Sequence, residues 1–169
     1  ISIDLIYGFP EQTVDEWQKD INHAIELNVS HLSAYSLMYE EGTSLYKMLK
    51  QGKIKEIDEN VSVAMYKTLV KIMKDAGYEH YEISNFAKPG MRAMHNSSYW
   101  DDTPYIGIGA AAHSYNRKSR QWNVSDIKKY IEATNNDVIL AEQETIDDDT
   151  HYNDLITTAL RTSEGLDLD

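Results

Sequence analysis

The sequence predicts an α/β fold built on parallel strands. Apolar residues occupy every second position at Ile1, Ile3, Leu5 and Tyr7, a pattern typical of a strand. A helical apolar stripe follows, and the strand–helix order then recurs along the first half of the chain. This order favours parallel strands joined by right-handed crossovers. Two architectures satisfy it: a doubly wound sheet and a piece of a (β/α) barrel.

The first helix has a clear start signal. Thr13 and Glu16 form a capping box, and an apolar face then runs from Val14 to Ile25. A second strand is predicted at about 31–38, and a short helix follows near 44–51.

A longer helix is predicted after Asp58, which can cap it, and Gly77 suits the left-handed position beyond its end. A third strand is predicted at about 78–87. Because ligands gather at the carboxyl ends of parallel strands, we expect a ligand edge made of residues 8–10, 37–40 and 84–87.

The second half is rich in aromatic residues and histidines, including the run HNSSYW at 95–100. The segment 107–112 contains Gly107 and Gly109 but lacks the rest of a dinucleotide fingerprint. Its small residues indicate either close backbone packing or the approach of a ligand to a bare backbone. Ser125 is predicted to cap a helix that reaches about Thr134. An acidic stretch at 142–149 leads into a last helix at about 148–161.

Composition excludes several classes of protein. With 16 basic and 28 acidic residues, the formal charge of −12 argues against nucleic-acid binding. The chain has no cysteine, which excludes disulfides and thiolate metal ligands within it and is consistent with a cytoplasmic protein. No apolar run approaches about 18 residues, so no transmembrane helix is predicted.

Both ends of the sequence interrupt an apolar pattern. Ile1 opens inside an alternating run, and the segment 165–169 stops inside another. We therefore expect an internal piece of a larger protein that does not carry a complete active site.

Two sets of residues are candidates for chemistry. Asp4 is a mid-strand carboxylate, which needs either a structural partner or a ligand. If the run at 95–100 is helical, His95 and Tyr99 share a face and provide a metal or proton ligand beside an aromatic surface. The alternative is a structural loop whose aromatic residues fill the core. The histidine spacing does not predict a self-contained zinc site.

Five segments in order resemble one known family. They are 3–10 with 12–13, 31–37 with 40 and 42–43, 81–87 with 89–90, 95–100, and 107–114. Together they resemble the oxygen-independent coproporphyrinogen III oxidase-like radical SAM proteins, and the run at 95–100 is most similar to the haem chaperone branch of that family.

The resemblance implies part of a partial (β/α) radical SAM barrel with parallel strands. Residues 1–93 would be its back half, 94–146 would complete the catalytic domain, and 147–169 would begin a helical C-terminal domain. The family uses S-adenosylmethionine (SAM) and a 4Fe–4S cluster held by three cysteines. Those cysteines are absent from this chain, so we expect it to be inactive by itself.

The resemblance also assigns site residues. Asp4 and Ile6 would line the SAM pocket, with Asp4 accepting hydrogen bonds from the ribose, and Met38 would lie nearby. His95 would be the ligand of a haem iron. Other contacts with haem or a porphyrin would come from Tyr99, Trp100 and His113.

The implied function is a haem-binding chaperone that hands haem to an acceptor protein in the cytoplasm. The first alternative is an oxygen-independent coproporphyrinogen III oxidase, which would decarboxylate propionates to yield protoporphyrinogen IX. The second is a non-catalytic α/β binding module.

Overall fold

The computed structural model describes residues 1–167 and contains two compact units, Ile1–Ala93 and Met94–Asp169. Within the described residues, the first unit has a four-stranded sheet and the second has a three-stranded sheet. The predicted division at 146/147 falls inside the second unit and stays a prediction.

The first unit contains a parallel strand pair joined by a helix. Its strands are β1 (Ser2–Tyr7), β2 (His31–Ser36), β3 (Glu79–Glu82) and β4 (Asn85–Ala87), and its helices are α1 (Val14–Glu26), α2 (Ser44–Lys50) and α3 (Glu59–Asp75). The strands lie in the order β1-β2-β4-β3. β1 and β2 are parallel, with Ser2 opposite His31 and Tyr7 opposite Ser36, which confirms the predicted strand–helix–strand unit.

Helix α1 begins where the sequence predicts. The Thr13 hydroxyl accepts a hydrogen bond from the Glu16 N–H at 3.2 Å, and the Glu16 carboxylate accepts one from the Thr13 N–H at 2.9 Å. The capping box is therefore confirmed. Trp17 and Ile21 on the apolar face of the helix are fully buried.

One face of the first sheet forms a core with α1 and α3. Its buried residues include Tyr7, Trp17, Ile21, Leu32, Met65, Leu69, Met73 and Phe86. Trp17 donates its indole N–H to the carbonyl of Met65 at 3.1 Å, which ties α1 to α3. Because strand side chains alternate, burying Tyr7 turns Asp4 and Ile6 to the opposite face.

Helix α3 has both predicted end signals. The Asp58 carboxylate accepts a hydrogen bond from the Asn60 N–H at 2.9 Å. Gly77 has a φ of +81°, and the Tyr78 N–H donates to the Met73 carbonyl at 3.0 Å. The positive φ at Gly77 lets the chain leave the helix toward β3.

The prediction of one parallel strand at 78–87 is wrong. The segment forms two short antiparallel strands, β3 and β4, and β4 also pairs antiparallel with β2. Ala87 lies opposite His31, at the amino end of β2. Residues 84–87 therefore do not add a third carboxyl end to the predicted ligand edge. The residue pattern over 78–87 shows no break at the turn at 83–84. The pattern therefore does not indicate that the chain reverses direction there.

The second unit contains an antiparallel sheet in the order β5-β6-β7. Its strands are β5 (His113–Tyr115), β6 (Ser119–Asn123) and β7 (Ala141–Thr145), and its helices are α4 (Met94–Ser97), α5 (Ile127–Asn135) and α6 (Asp148–Ala159). β7 forms within the acidic stretch, for which the sequence predicts no strand.

The cap of α5 differs from the prediction by one residue. Asp126, and not Ser125, caps this helix, since its carboxylate accepts hydrogen bonds from the N–H groups of Lys128 and Lys129 at 2.9 and 3.1 Å. Serine and aspartate are both favoured at this position, so two neighbouring candidates compete and the turn before the helix selects one.

Gly107 allows two backbone segments to pack closely. A β-carbon at this position would collide with the backbone of His113. The Gly107 N–H donates to the Ser114 hydroxyl at 3.0 Å, and the Asn123 side-chain amide donates to the Gly109 carbonyl at 2.9 Å. Close backbone packing is therefore confirmed at Gly107, whereas a β-carbon at Gly109 would meet nothing within 4 Å, and the approach of a ligand to this segment stays a prediction.

Candidate functional site

The open face of the first sheet carries Asp4 and Ile6. Ser33 lies opposite Asp4, and Tyr35 lies opposite Ile6. Ile6 and Tyr35 are 48% and 44% exposed, and Asp4 is exposed as well. The strands therefore present a carboxylate next to an apolar and aromatic pair, which suits a ligand that has both hydroxyl groups and a flat ring.

His31 joins two hydroxyl groups on this face. Its Nδ1 is 2.8 Å from Ser2 Oγ, and its Nε2 is 2.7 Å from Tyr81 Oη. Burial lowers the pKa of His31, and the nearby carboxylates of Asp4 and Glu82 act in the opposite direction. A neutral imidazole therefore ties β1, β2 and β3 together.

A buried carboxylate lies in the same row of the sheet as Asp4. Ser33 stands between Asp4 and Asn85 in the register, and Glu82 pairs with Asn85 on the far side. The Glu82 carboxylate accepts hydrogen bonds from the Asn85 side-chain amide and from the Ser84 N–H, the latter at 3.0 Å. These donors offset the cost of burying the charge and hold the β3–β4 turn.

Met38 lies just beyond the carboxyl end of β2. The Leu37 N–H donates to the Tyr7 carbonyl at 2.8 Å, so the chain stays beside β1 for one residue after the strand ends. The Met38 side chain is 72% exposed. It is accessible to a ligand at this end of the parallel pair.

The run at 95–100 begins inside α4 and continues as a hydrogen-bonded turn, and this geometry brings His95 and Tyr99 together as predicted. Tyr99 Oη is 3.2 Å from His95 Nε2, and the two rings pack edge to face with centroids 5.1 Å apart. Both side chains are exposed. An imidazole at the surface is a side chain of the kind that binds metal ions.

Further aromatic rings continue from this pair, and we call Tyr99, Tyr105 and Tyr115 the tyrosine ladder. Tyr99 packs edge to face on Tyr105 at a centroid distance of 5.0 Å, and Tyr105 lies 5.9 Å from Tyr115. Tyr115 donates its hydroxyl to Asp102. Burial, together with the bond to this carboxylate, raises the pKa of Tyr115 to about 12.

Trp100 has a different partner from its neighbour Tyr99. The Arg161 guanidinium lies 4.6 Å from the centroid of the Trp100 ring, a cation–π arrangement. The indole Nε1 is buried and has no hydrogen-bond partner within the described residues. One face of this ring is thus occupied, which favours a role in shaping the site over open stacking.

His113 lies beside Trp122 on the second sheet. Their rings are stacked with centroids 6.0 Å apart, and Trp122 donates its indole N–H to Glu142 at 3.2 Å. A cavity of about 520 Å³ opens here and is also lined by Lys129. Since residues two apart on a strand share a face, His113 lies on the same face of β5 as Tyr115 of the ladder.

The described residues can also be compared with the requirements of a metal site and of a membrane-spanning helix. Among residues 1–167, no three histidine or acidic side chains are grouped so as to hold a metal ion. No helix in the same range combines the length and the apolar character needed to cross a membrane.

Sequence relatives connect the chain to a known family. The chain is 39% identical over 132 residues to the haem chaperone HemW of Bacillus subtilis. The matched stretch is 78% of this chain and 35% of that protein. The chain is 36% identical over 113 residues to the mitochondrial radical S-adenosyl methionine domain-containing protein 1 of Danio rerio, a stretch that is 67% of this chain and 26% of that protein. The chain is homologous to proteins of the HemW-like radical SAM family. It spans about a third of the length of the HemW relatives it matches.

A solved structure shows the fold of this family. The coproporphyrinogen III oxidase HemN of Escherichia coli, a radical SAM enzyme, matches with a TM-score of 0.74 at 19% identity, over 95% of this chain and 40% of that one. The chain therefore has part of the radical SAM fold, which confirms the predicted fold class. No family model matches the chain.

The similarity to radical SAM proteins implies SAM and a 4Fe–4S cluster in the whole protein. The 169 residues contain no cysteine, so none of them is a thiolate ligand of that cluster.

The structure brings together some of the predicted site residues of this HemW-like chain. Asp4 and Ile6 share one sheet face, and the side chains of His95 and Tyr99 are in contact. No hydrogen bond or ring contact joins His113 to His95 within the described residues. The roles of Asp4 and Ile6 toward SAM, and of His95, Tyr99 and His113 toward haem, stay predictions.

Several residues of these surfaces were not predicted. Tyr35 has a sequence signal, because the alternation of β2 places it on the face opposite Leu32. Tyr105 and Tyr115 have none, since they meet through a bridge between a loop and a strand. A loop residue carries no periodicity from which its neighbour could be inferred.

Proposed function

We propose that the protein containing this chain binds haem and delivers it to acceptor proteins. The observation that carries this proposal is the exposed imidazole of His95, presented on α4 beside the Tyr99 ring. The similarity to proteins named haem chaperone HemW supports it.

The chemistry of the donor set fits haem. A neutral imidazole is a common axial ligand of haem iron, and tyrosine and tryptophan rings suit an apolar macrocycle. His95 would bind the iron and Tyr99 would contact the macrocycle, while Trp100, held by Arg161, would shape the site from behind. The stacked pair of His113 and Trp122 offers a second aromatic surface in the same unit.

The open face of the first sheet fits part of SAM. The exposed Asp4 carboxylate would accept hydrogen bonds from ribose hydroxyls, and Ile6 and Tyr35 would contact the adenine, with Met38 nearby. SAM supplies a 5′-deoxyadenosyl radical when a reduced cluster cleaves it. The residues of this chain would bind and orient the nucleoside.

A haem titration of the full-length protein tests the haem ligand. The wild type should show the absorption spectrum of imidazole-ligated haem, and His95→Ala should lose it. His23→Ala is the matched control, because His23 is an exposed histidine on α1. An unchanged spectrum in His95→Ala would remove His95 as the ligand.

A second candidate function is oxygen-independent coproporphyrinogen III oxidase. The similarity of the fold to that of HemN favours it. Incubating the cluster-loaded, full-length protein with coproporphyrinogen III, SAM and a reductant separates the two functions, because clear turnover would contradict the chaperone proposal. A cytoplasmic location stays a prediction, since some relatives are named as mitochondrial.

A further inference from the structure

The contact between Tyr99 and His95 involves a ring nitrogen that a metal would use. Imidazole binds metals through Nδ1 or Nε2, and Nε2 lies farther from the backbone. In this structure, Tyr99 Oη lies 3.2 Å from Nε2. Whichever tautomer is present, a hydrogen bond here occupies Nε2, so an iron atom cannot bind this nitrogen while the bond persists.

The rest of the tyrosine ladder holds the Tyr99 ring in place. Tyr105 supports it edge to face at 5.0 Å, and the backbones of Tyr105 and Tyr115 exchange two hydrogen bonds of 2.9 Å. The Tyr115 hydroxyl is anchored on Asp102. Arg117 fixes Asp102 in turn, since its Nε donates to the backbone carbonyl at 3.0 Å and lies 3.3 Å from the carboxylate.

We propose that Tyr99 is a latch on His95. In the haem-free protein its hydroxyl occupies Nε2, and it leaves before the imidazole binds iron. This inference rests on the proposed haem-binding function and adds a regulatory step to the same site. The Tyr99 ring remains available to contact the macrocycle after the hydroxyl has moved.

The latch predicts whether a substitution at Tyr99 strengthens or weakens haem binding. Tyr99→Phe keeps the ring and its packing on Tyr105 but removes the hydroxyl that competes for Nε2. The net value of one hydrogen bond corresponds to a factor of roughly two to twelve in an equilibrium constant. Haem should therefore bind Tyr99→Phe roughly two- to twelvefold more tightly than the wild type. A hydroxyl that helps to hold haem would give the opposite result.

The test is a haem titration, followed by absorbance, of the full-length wild type, Tyr99→Phe, His95→Ala and the double variant. Tyr152→Phe is the matched control, because Tyr152 is 65% exposed and its side chain makes no hydrogen bond or ring contact among the described residues. Tighter binding in Tyr99→Phe, with Tyr152→Phe equal to the wild type, supports the latch. Equal or weaker binding in Tyr99→Phe overturns it.

The set of variants distinguishes failure of the latch from failure of the proposed function. If His95→Ala binds haem with the affinity and spectrum of the wild type, the proposed ligand is wrong and the latch falls with it. If His95→Ala loses the imidazole-ligated spectrum while Tyr99→Phe changes nothing, only the latch is overturned. A gain from Tyr99→Phe that persists without His95 also overturns the latch, because the effect then does not act through Nε2.

Discussion

Asp4 lies directly opposite Ser33 in the parallel pair of β1 and β2. Asp4 is exposed, whereas Ser33 is only 5% exposed and lies between Asp4 and the buried Asn85 in the register. The carboxylate is therefore the accessible end of a polar row that is otherwise enclosed. A ligand approaching this face would meet Asp4 before the groups behind it.

Asp4→Ala should weaken SAM binding to the full-length protein. Loss of a hydrogen-bonding partner typically costs about 1–3 kcal/mol, and the affinity should fall accordingly. Isothermal titration calorimetry measures the change. Asp20→Ala is the control, since Asp20 is an exposed carboxylate on α1. An unchanged affinity in Asp4→Ala would refute its role in SAM binding.

Thr13→Ala should destabilise the protein by about 1 kcal/mol, the usual cost of removing a threonine cap. The substitution removes the acceptor of the Glu16 N–H bond and one partner of the Glu16 carboxylate. Denaturant unfolding measures the free energy. Thr103→Ala should have little effect, because Thr103 is exposed and its only described hydrogen bond with a side chain is donated by its backbone N–H, which the substitution keeps. Equal stability of the two variants would contradict the capping box.

His31 should make stability depend on pH. Because burial lowers its folded-state pKa below the ordinary value of 6.5, the unfolded chain takes up the proton first as pH falls. Above pH 6.5 both states are neutral and this contribution to stability is complete. It is lost as pH falls from 6.5 through the folded-state pKa.

Unfolding curves between pH 5 and 8 check the His31 prediction. His31→Gln should show a smaller loss of stability on the acid side than the wild type. His23→Gln should keep the wild-type slope, because His23 is exposed on α1. A wild-type slope in His31→Gln would show that the acid dependence arises elsewhere.

Gly107→Ala should destabilise the second unit. The added β-carbon would collide with the backbone of His113, and overpacking of this kind costs about 1–3 kcal/mol. Gly42→Ala is a comparison for backbone strain alone, since φ there is +87° and nothing lies within 4 Å of the added carbon. Thermal unfolding should show a larger shift for Gly107→Ala. A smaller one would refute the close approach.

Local signals in the sequence predict the helices of the first unit well. The capping box at Thr13, the cap at Asp58 and the left-handed Gly77 each act within a few residues, so nearby sequence suffices to identify them. Because such signals act only within a few residues, they do not predict which strands pair with the segment 78–87. The partner strand that makes β4 antiparallel lies about fifty residues away, at 31–33.

In the candidate site too, the sequence predicts contacts between residues a few positions apart but not contacts between distant segments. The spacing of His95 and Tyr99 predicts that they share a helical face, because four residues bring two side chains together on one turn. The support of Tyr99 by Tyr105 follows from a loop that folds back on β5. No pattern around either residue indicates this contact.

The sequence by itself determined the resemblance to radical SAM proteins, the alternating faces of β1 and β2, and the candidates Asp4, Ile6 and His95. These depend on residue identity and on spacings of a few residues. Only the tertiary structure decided that Tyr35 stands beside Ile6 and that a tyrosine ladder holds the ring beside His95. The reason is physical: strand register and ring packing are set by contacts between segments distant in the chain, and local preferences do not specify them.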